Sequence, residues 1–421
     1  MVFNSFVDAQ WYLLGTTFAI ALVLGAVVNK TNFCTMGAVS DWVNMGDTGR
    51  FRSWLLAMAI AIIGALVLEG TGIVNFNEAF PAYRGQNLIW LQNIVGGVLF
   101  GIGMTLGSGC ANKNLVRLGG GNIKALFVIA VMGICAYFMI FPFPGSSETL
   151  MSLLFYPWMQ PTNIQLTSHQ DLGSLISPQH AMLARLWIGA VIAALVLFFI
   201  FRSKDFRRSF DNILGGLIVG AAVIAAWYFT SDIHVKGVFD TVSLRHYAAN
   251  WAMMDNPAHA VKPIRSAFVG LQSFTFVNPA GQAAGYVGHG FSKAFWTFGL
   301  AAFVGVIVGS LLWALITRSF RFEWFASVGD FFNHVVGGAL MGVGGVLALG
   351  CTIGQGVTGI STLAVGSFLA FASIVFGSAL TMKVQYYKMV YEDEATFPKA
   401  LVTSLVDMRL LPKALRKLEA V

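Results

Sequence analysis

Between residue 11 and about residue 382 the chain repeats one pattern: long, mostly apolar runs separated by short segments that hold its Gly, Pro, Lys and Arg. A hydrocarbon core roughly 30 Å thick is crossed by about 20 apolar residues in helical form. Runs of that length fall at 11–28, 53–73, 92–110, 123–142, 182–201, 213–230, 294–317, 334–350 and 363–382. The pattern predicts an all-α integral membrane protein: a single membrane domain over 1–421 with about nine transmembrane helices and short or half helices between them. No Lys or Arg precedes the first run and no small-residue cleavage pattern follows it, so it reads as a first span rather than a removed signal peptide.

Composition agrees with a bilayer. The chain is 57% hydrophobic and 11% charged with a mean hydropathy of +0.72, whereas about a quarter of a soluble domain is charged. The net charge of +7 does not indicate a nucleic-acid partner, because the basic residues sit in short loops and the tail, where they set topology. Lys30, Arg50 and Arg52 follow the first span, Lys113, Arg117 and Lys124 the third, Arg202, Lys204, Arg207 and Arg208 the fifth, and Arg318 and Arg321 the seventh. All fall on one side, which predicts an outside N-terminus, a cytoplasmic C-terminus and lipid around the spans. Segments 143–181 and 231–293 then face outward. The second, with Pro257, Pro263 and Pro279, reads as a folded loop or a mouth covering. Trp and Tyr near helix ends form an interfacial belt, and no cofactor box or metal site is implied.

Val95–Cys110 and Val336–Cys351 align without a gap at nine identities in sixteen positions. Their opposite directions predict two inverted repeats, 11–142 and 213–382, joined by the connecting helix 182–201 and followed by a cytoplasmic tail, 383–421. Such repeats mark transporters and channels. GGxxxGxG is also a packing face of membrane helices, but packing does not call for a cysteine at the same terminal position twice. A weaker match of Leu14–Gly15 to Leu214–Gly215 sets His234 opposite Cys34, where a loop histidine is the preferred reading.

The residues after Cys110 and after Cys351 are poor as continuous helix. Broken helix inside a membrane is tolerated where it is buried in protein or lines a polar cavity, and the exposed N–H groups at such breaks suit an anion. Intramembrane Asp or Glu clusters, which a cation pathway would need, are missing from the sequence. Cys34, Cys110 and Cys351 adjoin Gly or Thr, whereas Cys135 lies in an apolar helix and reads as core. Thiols are weak donors with polarisable sulfur, suited to loose contact with a sulfur-bearing anion. The candidate substrate contacts are Cys351, Cys110, Cys34, Lys113 and Gln355; Lys113 and Arg117 either draw an anion inward or are ordinary positive-inside residues. No enzyme activity is expected. The alternatives are a membrane sulfurtransferase or redox protein using persulfides, which would lack a CxxC pair here, and a soft-metal transporter, which would lack His or Met clusters. No ATP-binding motif is present, so energy would come from gradients, a partner or downstream consumption.

At these residues the sequence resembles the YeeE/YedE family of membrane proteins with a sulfur-transport domain. The carriers are NFCTMGAVSD around Cys34, VGGVLFGIGMTLGSGC ending at Cys110, and VGGALMGVGGVLALGCTIGQGVTGIST around Cys351. The resemblance implies a bacterial inner-membrane transporter that passes thiosulfate, or a related sulfur or selenium compound, inward by successive S–H hydrogen bonds. Cys351 would be the outer site, Cys110 the middle one and Cys34 the cytoplasmic one, with a small sulfur-carrier or rhodanese-like protein as a candidate partner. The chain departs from the family at Asn112, Lys113 and Asn114, where a Gly is usual, and at Thr31 and Asn32, where Arg is usual.

Overall fold

Polar caps set where the apolar runs begin as helices. Ser5 Oγ accepts from the Asp8 N–H at 3.2 Å to start α1 (Phe6–Thr31), which ends on Asn32 in the left-handed region. A short α2 (Thr35–Ser40) follows, then α3 (Gly49–Gly70), α4 (Trp90–Leu106) and a second short helix, α5 (Ala111–Gly119). Asn122 caps α6 (Ile123–Ile140). The chain continues through α7 (Ala181–Phe201), α8 (Phe210–Ser231), α9 (Val277–Gly288) and α10 (Phe298–Ile316), the last capped by Thr297. Ser327 caps α11 (Val328–Leu347), and α12 (Val365–Val390) and α13 (Phe397–Asp407) complete it. These elements come from a computed structural model, which describes residues 1–237, 240–254 and 269–419.

Eight stretches among the described residues are long and apolar enough to cross a bilayer, against about nine expected. The difference is α11, expected as 334–350, whose first turns carry Asp330, Asn333 and His334. The last span continues past residue 382 to Val390, and the tail folds back on it through a 2.5 Å bond from Tyr387 Oη to Asp407. Segment 231–293 is more than a loop: it holds a strand pair, the helix Leu244–Met254 and the buried start of α9, with Pro279 in that helix's first turn. Pro257 and Pro263 lie outside the described residues.

Small residues bring the helices close. The helix α4 lies between α11 and α12, and α6 packs on α11 and α9. A Cβ added at Gly103 would sit 2.7 Å from the Gly337 carbonyl, and one at Gly96 2.8 Å from the Gly344 carbonyl. In the gap-free alignment Gly96 falls on Gly337 and Gly103 on Gly344, so the two contacts are the same contact made twice. Other pairs follow suit: α1 packs on α10 and α3 on α8, while α2 touches α3 and α12 as α9 touches α10 and α6.

Contacts sort the helix ends onto two faces. On one, Ser53 Oγ donates to the Asn212 carbonyl at 2.6 Å, Lys124 meets Asp330 at 2.8 Å, and the Ile123 N–H donates to the Glu323 carbonyl at 3.1 Å. The basic clusters gather here. The opposite face carries a three-stranded sheet (Val2–Phe3, His234–Lys236, Thr241–Ser243) and the antiparallel pair Asn87–Ile89 with Asn163–Gln165. Beneath them lies a buried quartet. Arg84 grips both Glu69 oxygens at 2.6 and 2.9 Å, and Arg185 reaches Glu69 at 3.3 Å and Asp171 at 3.2 Å.

Candidate transport path

The two glycine-rich helices end in one backbone motif. Beyond α4, Gly107 N–H donates to Gly103 O at 2.8 Å, Gly109 N–H to Met104 O at 2.9 Å and Asn114 N–H to Cys110 O at 3.0 Å. Beyond α11 the matching bonds run from Ala348 to Gly344, Gly350 to Gly345 and Gln355 to Cys351, each at 2.8 Å. Ser108 and Leu349 hold the same place in the two turns, both with left-handed φ, 56° and 58°. After each turn a cysteine opens a short helix: Cys110 opens α5, and Cys351 opens a helical segment over 352–361 with a π-helical turn at Gly354–Gly359.

Cys34, Cys110 and Cys351 are buried and unbridged. Cys34 Sγ accepts from the Gly37 N–H at 3.5 Å as the N-cap of α2, and Cys351 Sγ accepts from the Gly354 N–H at 3.4 Å. Cys110 caps α5 without such a bond. Its thiol faces Cys34 on one side and the Thr352 hydroxyl on the other. Cys351, Thr352, Cys110 and Cys34 thus follow one another through the interior. Cys135 stands apart, packed against Gly342 on α11.

The two ends of this line differ in charge. On the Cys351 side a cavity of about 200 Å³ is lined by neutral polar groups, among them Tyr83, Gln92, Asn93, Gln170, Gln355 and Ser367. Gln355 donates through Nε2 to the Ala348 carbonyl, which ties the segment over 352–361 to the end of α11 and leaves its Oε1 without a partner. The Tyr83 hydroxyl, also unpartnered, is near Cys351. On the Cys34 side the groups are cationic. Lys113 Nζ donates to Asn32 Oδ1 at 3.1 Å, Arg117 Nη1 to the Ser108 carbonyl at 2.7 Å, and Arg50 pairs with Asp41 beside Gly37.

The structure brings Lys113 to the Cys34 end and Gln355 to the Cys351 end. His234 lies in the peripheral sheet, paired with Val2, and not at the counterpart of Cys34. That counterpart is Thr275: the shift that lays Cys110 on Cys351 also lays Phe33–Cys34 on Phe274–Thr275. Thr275 stands beside Cys351, its Oγ1 2.5 Å from where a Gly354 Cβ would be. Carrying the alignment register back to Cys34 would have found it. Among the described residues no three His, Cys, Asp or Glu side chains come together as metal ligands.

Broken helices meeting inside a multi-span bundle, with polar groups gathered at the breaks, define a membrane transport protein. The chain belongs to the sulphur transport family, whose model matches residues 30–380. It is similar to the thiosulfate transporter TsuA of Spirochaeta thermophila, 25% identical over 372 residues that cover 87% of this chain and 97% of the relative. It is also similar to the thiosulfate transporter TsuA of Escherichia coli K12, 25% identical over 340 residues, 80% of this chain and 84% of the relative.

Proposed function

We propose that the protein takes up thiosulfate across the bacterial inner membrane, passing it from Cys351 to Cys110 to Cys34. The observation that carries the reading is the run of neighbouring side chains between the two helix breaks: Cys351 and Thr352 adjoin, Thr352 faces Cys110, and Cys110 faces Cys34. A thiol donates weakly, so each contact is loose enough to be left, which conduction through successive sites requires. The charge difference between the ends supports a direction. Neutral groups around the Cys351 cavity receive the anion, and Lys113, Arg50 and Arg117 attract it onward to the basic face, which the positive-inside rule places in the cytoplasm. There a small sulfur-carrier or rhodanese-like protein would consume it. The reciprocal glycine contacts and the shared turn geometry support descent of the two halves from one inverted repeat.

Uptake of labelled thiosulfate into proteoliposomes tests this. Cys110→Ala and Cys351→Ala are expected to lose uptake while remaining folded by gel filtration in detergent. Normal uptake by both would sink the thiol path, and sulfate carried as fast as thiosulfate would remove the case for a sulfur-specific contact.

A further inference from the structure

Three buried threonines beside the cysteines have hydroxyls with no oxygen or nitrogen partner, and two of them face thiols: Thr352 that of Cys110 and Thr275 that of Cys351. Thr275 is 8% exposed, Thr352 fully buried and Thr35 1% exposed. Their neighbours behave otherwise. Thr358 donates to the Phe274 carbonyl at 2.7 Å, Ser361 to the Thr358 carbonyl at 2.6 Å and Thr362 to the Gly359 carbonyl at 2.7 Å. Leaving a buried hydroxyl unpaired costs about 1–3 kcal/mol and a thiol is only a weak partner, so three such hydroxyls along one line suit a ligand that pairs with them.

Their placement is regular. Thr352 follows Cys351 and Thr35 follows Cys34, so each end of the thiol line carries a Cys-Thr pair. Thr275 takes in one half the position that Cys34 takes in the other, and its hydroxyl stands over Gly354, whose N–H is bonded to Cys351 Sγ. A methyl or larger group at residue 354 would displace it.

We propose that the hydroxyls of Thr275, Thr352 and Thr35 are substrate contacts that hold the oxygen end of a sulfur oxyanion, while the adjoining thiols meet its terminal sulfur. The inference rests on the thiosulfate reading above and deepens it. An O–H donates a stronger hydrogen bond to an anionic oxygen than an S–H does. A thiol paired with a hydroxyl therefore distinguishes the two ends of thiosulfate and orients it, which a thiol alone does not. Thr352, between Cys351 and Cys110, keeps the oxygen end bonded while the sulfur end changes thiols.

The test is the concentration dependence of uptake by Thr275→Val, Thr352→Val and Thr35→Val, each compared with its Thr→Ser variant and checked for folding by gel filtration. Valine keeps the shape and removes the donor. Expected is a rise of at least about tenfold in the half-saturating thiosulfate concentration or an equal fall in maximal rate, the worth of one hydrogen bond to a charged group, with serine within about twofold of the parent. A Val variant that does not fold is replaced by Thr→Ala against Thr→Ser at the same site. Val variants within twofold of the parent, with Cys110→Ala inactive, would overturn the hydroxyl contacts and leave the thiol path standing. Loss in the Val variants with Cys110→Ala active would uphold the hydroxyls and overturn the thiols.

Discussion

Lys113 sits where chemistry and folding meet. It lies on the first turn of α5, half-buried, with its ammonium on Asn32 at the end of α1 and close to Cys34. Its charge is therefore fixed near the last thiol rather than free in a loop. Roughly 1 kcal/mol of attraction for an anion at this range corresponds to about fivefold in rate. Lys113→Gln is expected to slow proteoliposome uptake by about that factor, and Lys113→Arg to restore most of it. An equal loss in both would show that the bond to Asn32, and not the charge, matters. Gln355 acts differently, since one end of its amide is committed to the Ala348 carbonyl and the other is buried without a partner, in a residue that lines the cavity. Ser108 and Leu349 show how strictly the turns are held: a left-handed conformation costs a residue with a Cβ roughly 1–2 kcal/mol, yet both turns keep it without glycine.

At the scale of helices, glycine decides how near the two broken elements come. Gly103 and Gly337 face each other, as do Gly96 and Gly344, with carbonyls where side chains would otherwise be. Gly103→Val is expected to prevent stable folding, since overpacking costs typically 1–3 kcal/mol and here the obstacle is backbone. Gly15→Ala, with nothing within 4 Å of the added carbon, should leave the melting temperature in detergent unchanged or raised. An equal loss in both would show that close approach of the backbones does not explain these glycines. The same contrast explains what was legible in the sequence. Long spans such as 182–201 and 123–142 were readable within a few residues because twenty apolar side chains leave little choice. The short helices α2, α5 and α9 were not, since each is too brief and too rich in Gly or polar residues to carry a periodic signal. Cys110 and Cys351 could be read through their duplicated context. The position of Thr275 carries no cysteine to draw attention and is reached only by carrying the alignment register back to Cys34, and the neighbourhood of Thr352 and Cys110 shows only in the structure.

Across the whole molecule the two faces are built on different electrostatic terms. The basic face holds Lys113 and Arg117 on neutral oxygens beside the ion pairs Arg50–Asp41 and Lys124–Asp330, while the opposite face buries its charges as Glu69, Asp171, Arg84 and Arg185, tied together across α3, α7 and the segments between spans. Arg84 also donates to the Thr362 carbonyl at 2.8 Å, so the quartet holds the chain just after the second break. Removing one partner of a buried pair costs about 3–5 kcal/mol. Arg84→Met is expected to lower thermal stability in detergent sharply, and Arg84→Met combined with Glu69→Gln to lower it less than Arg84→Met alone. A double variant at least as unstable as the single would show that Arg84 acts through Thr362 and not through Glu69. None of this was visible in the sequence, where Glu69 ends a span and Arg84 lies in a loop fifteen residues away.

Because that quartet holds two acids and two guanidinium groups, it is neutral as a unit and its field falls off quickly with distance. Salt in the medium has little to screen there. On the proposed reading, an anion arriving at the amide-lined cavity would be selected by the geometry of dipoles at close range, and would meet its first fixed net charge at Lys113, beside Cys34.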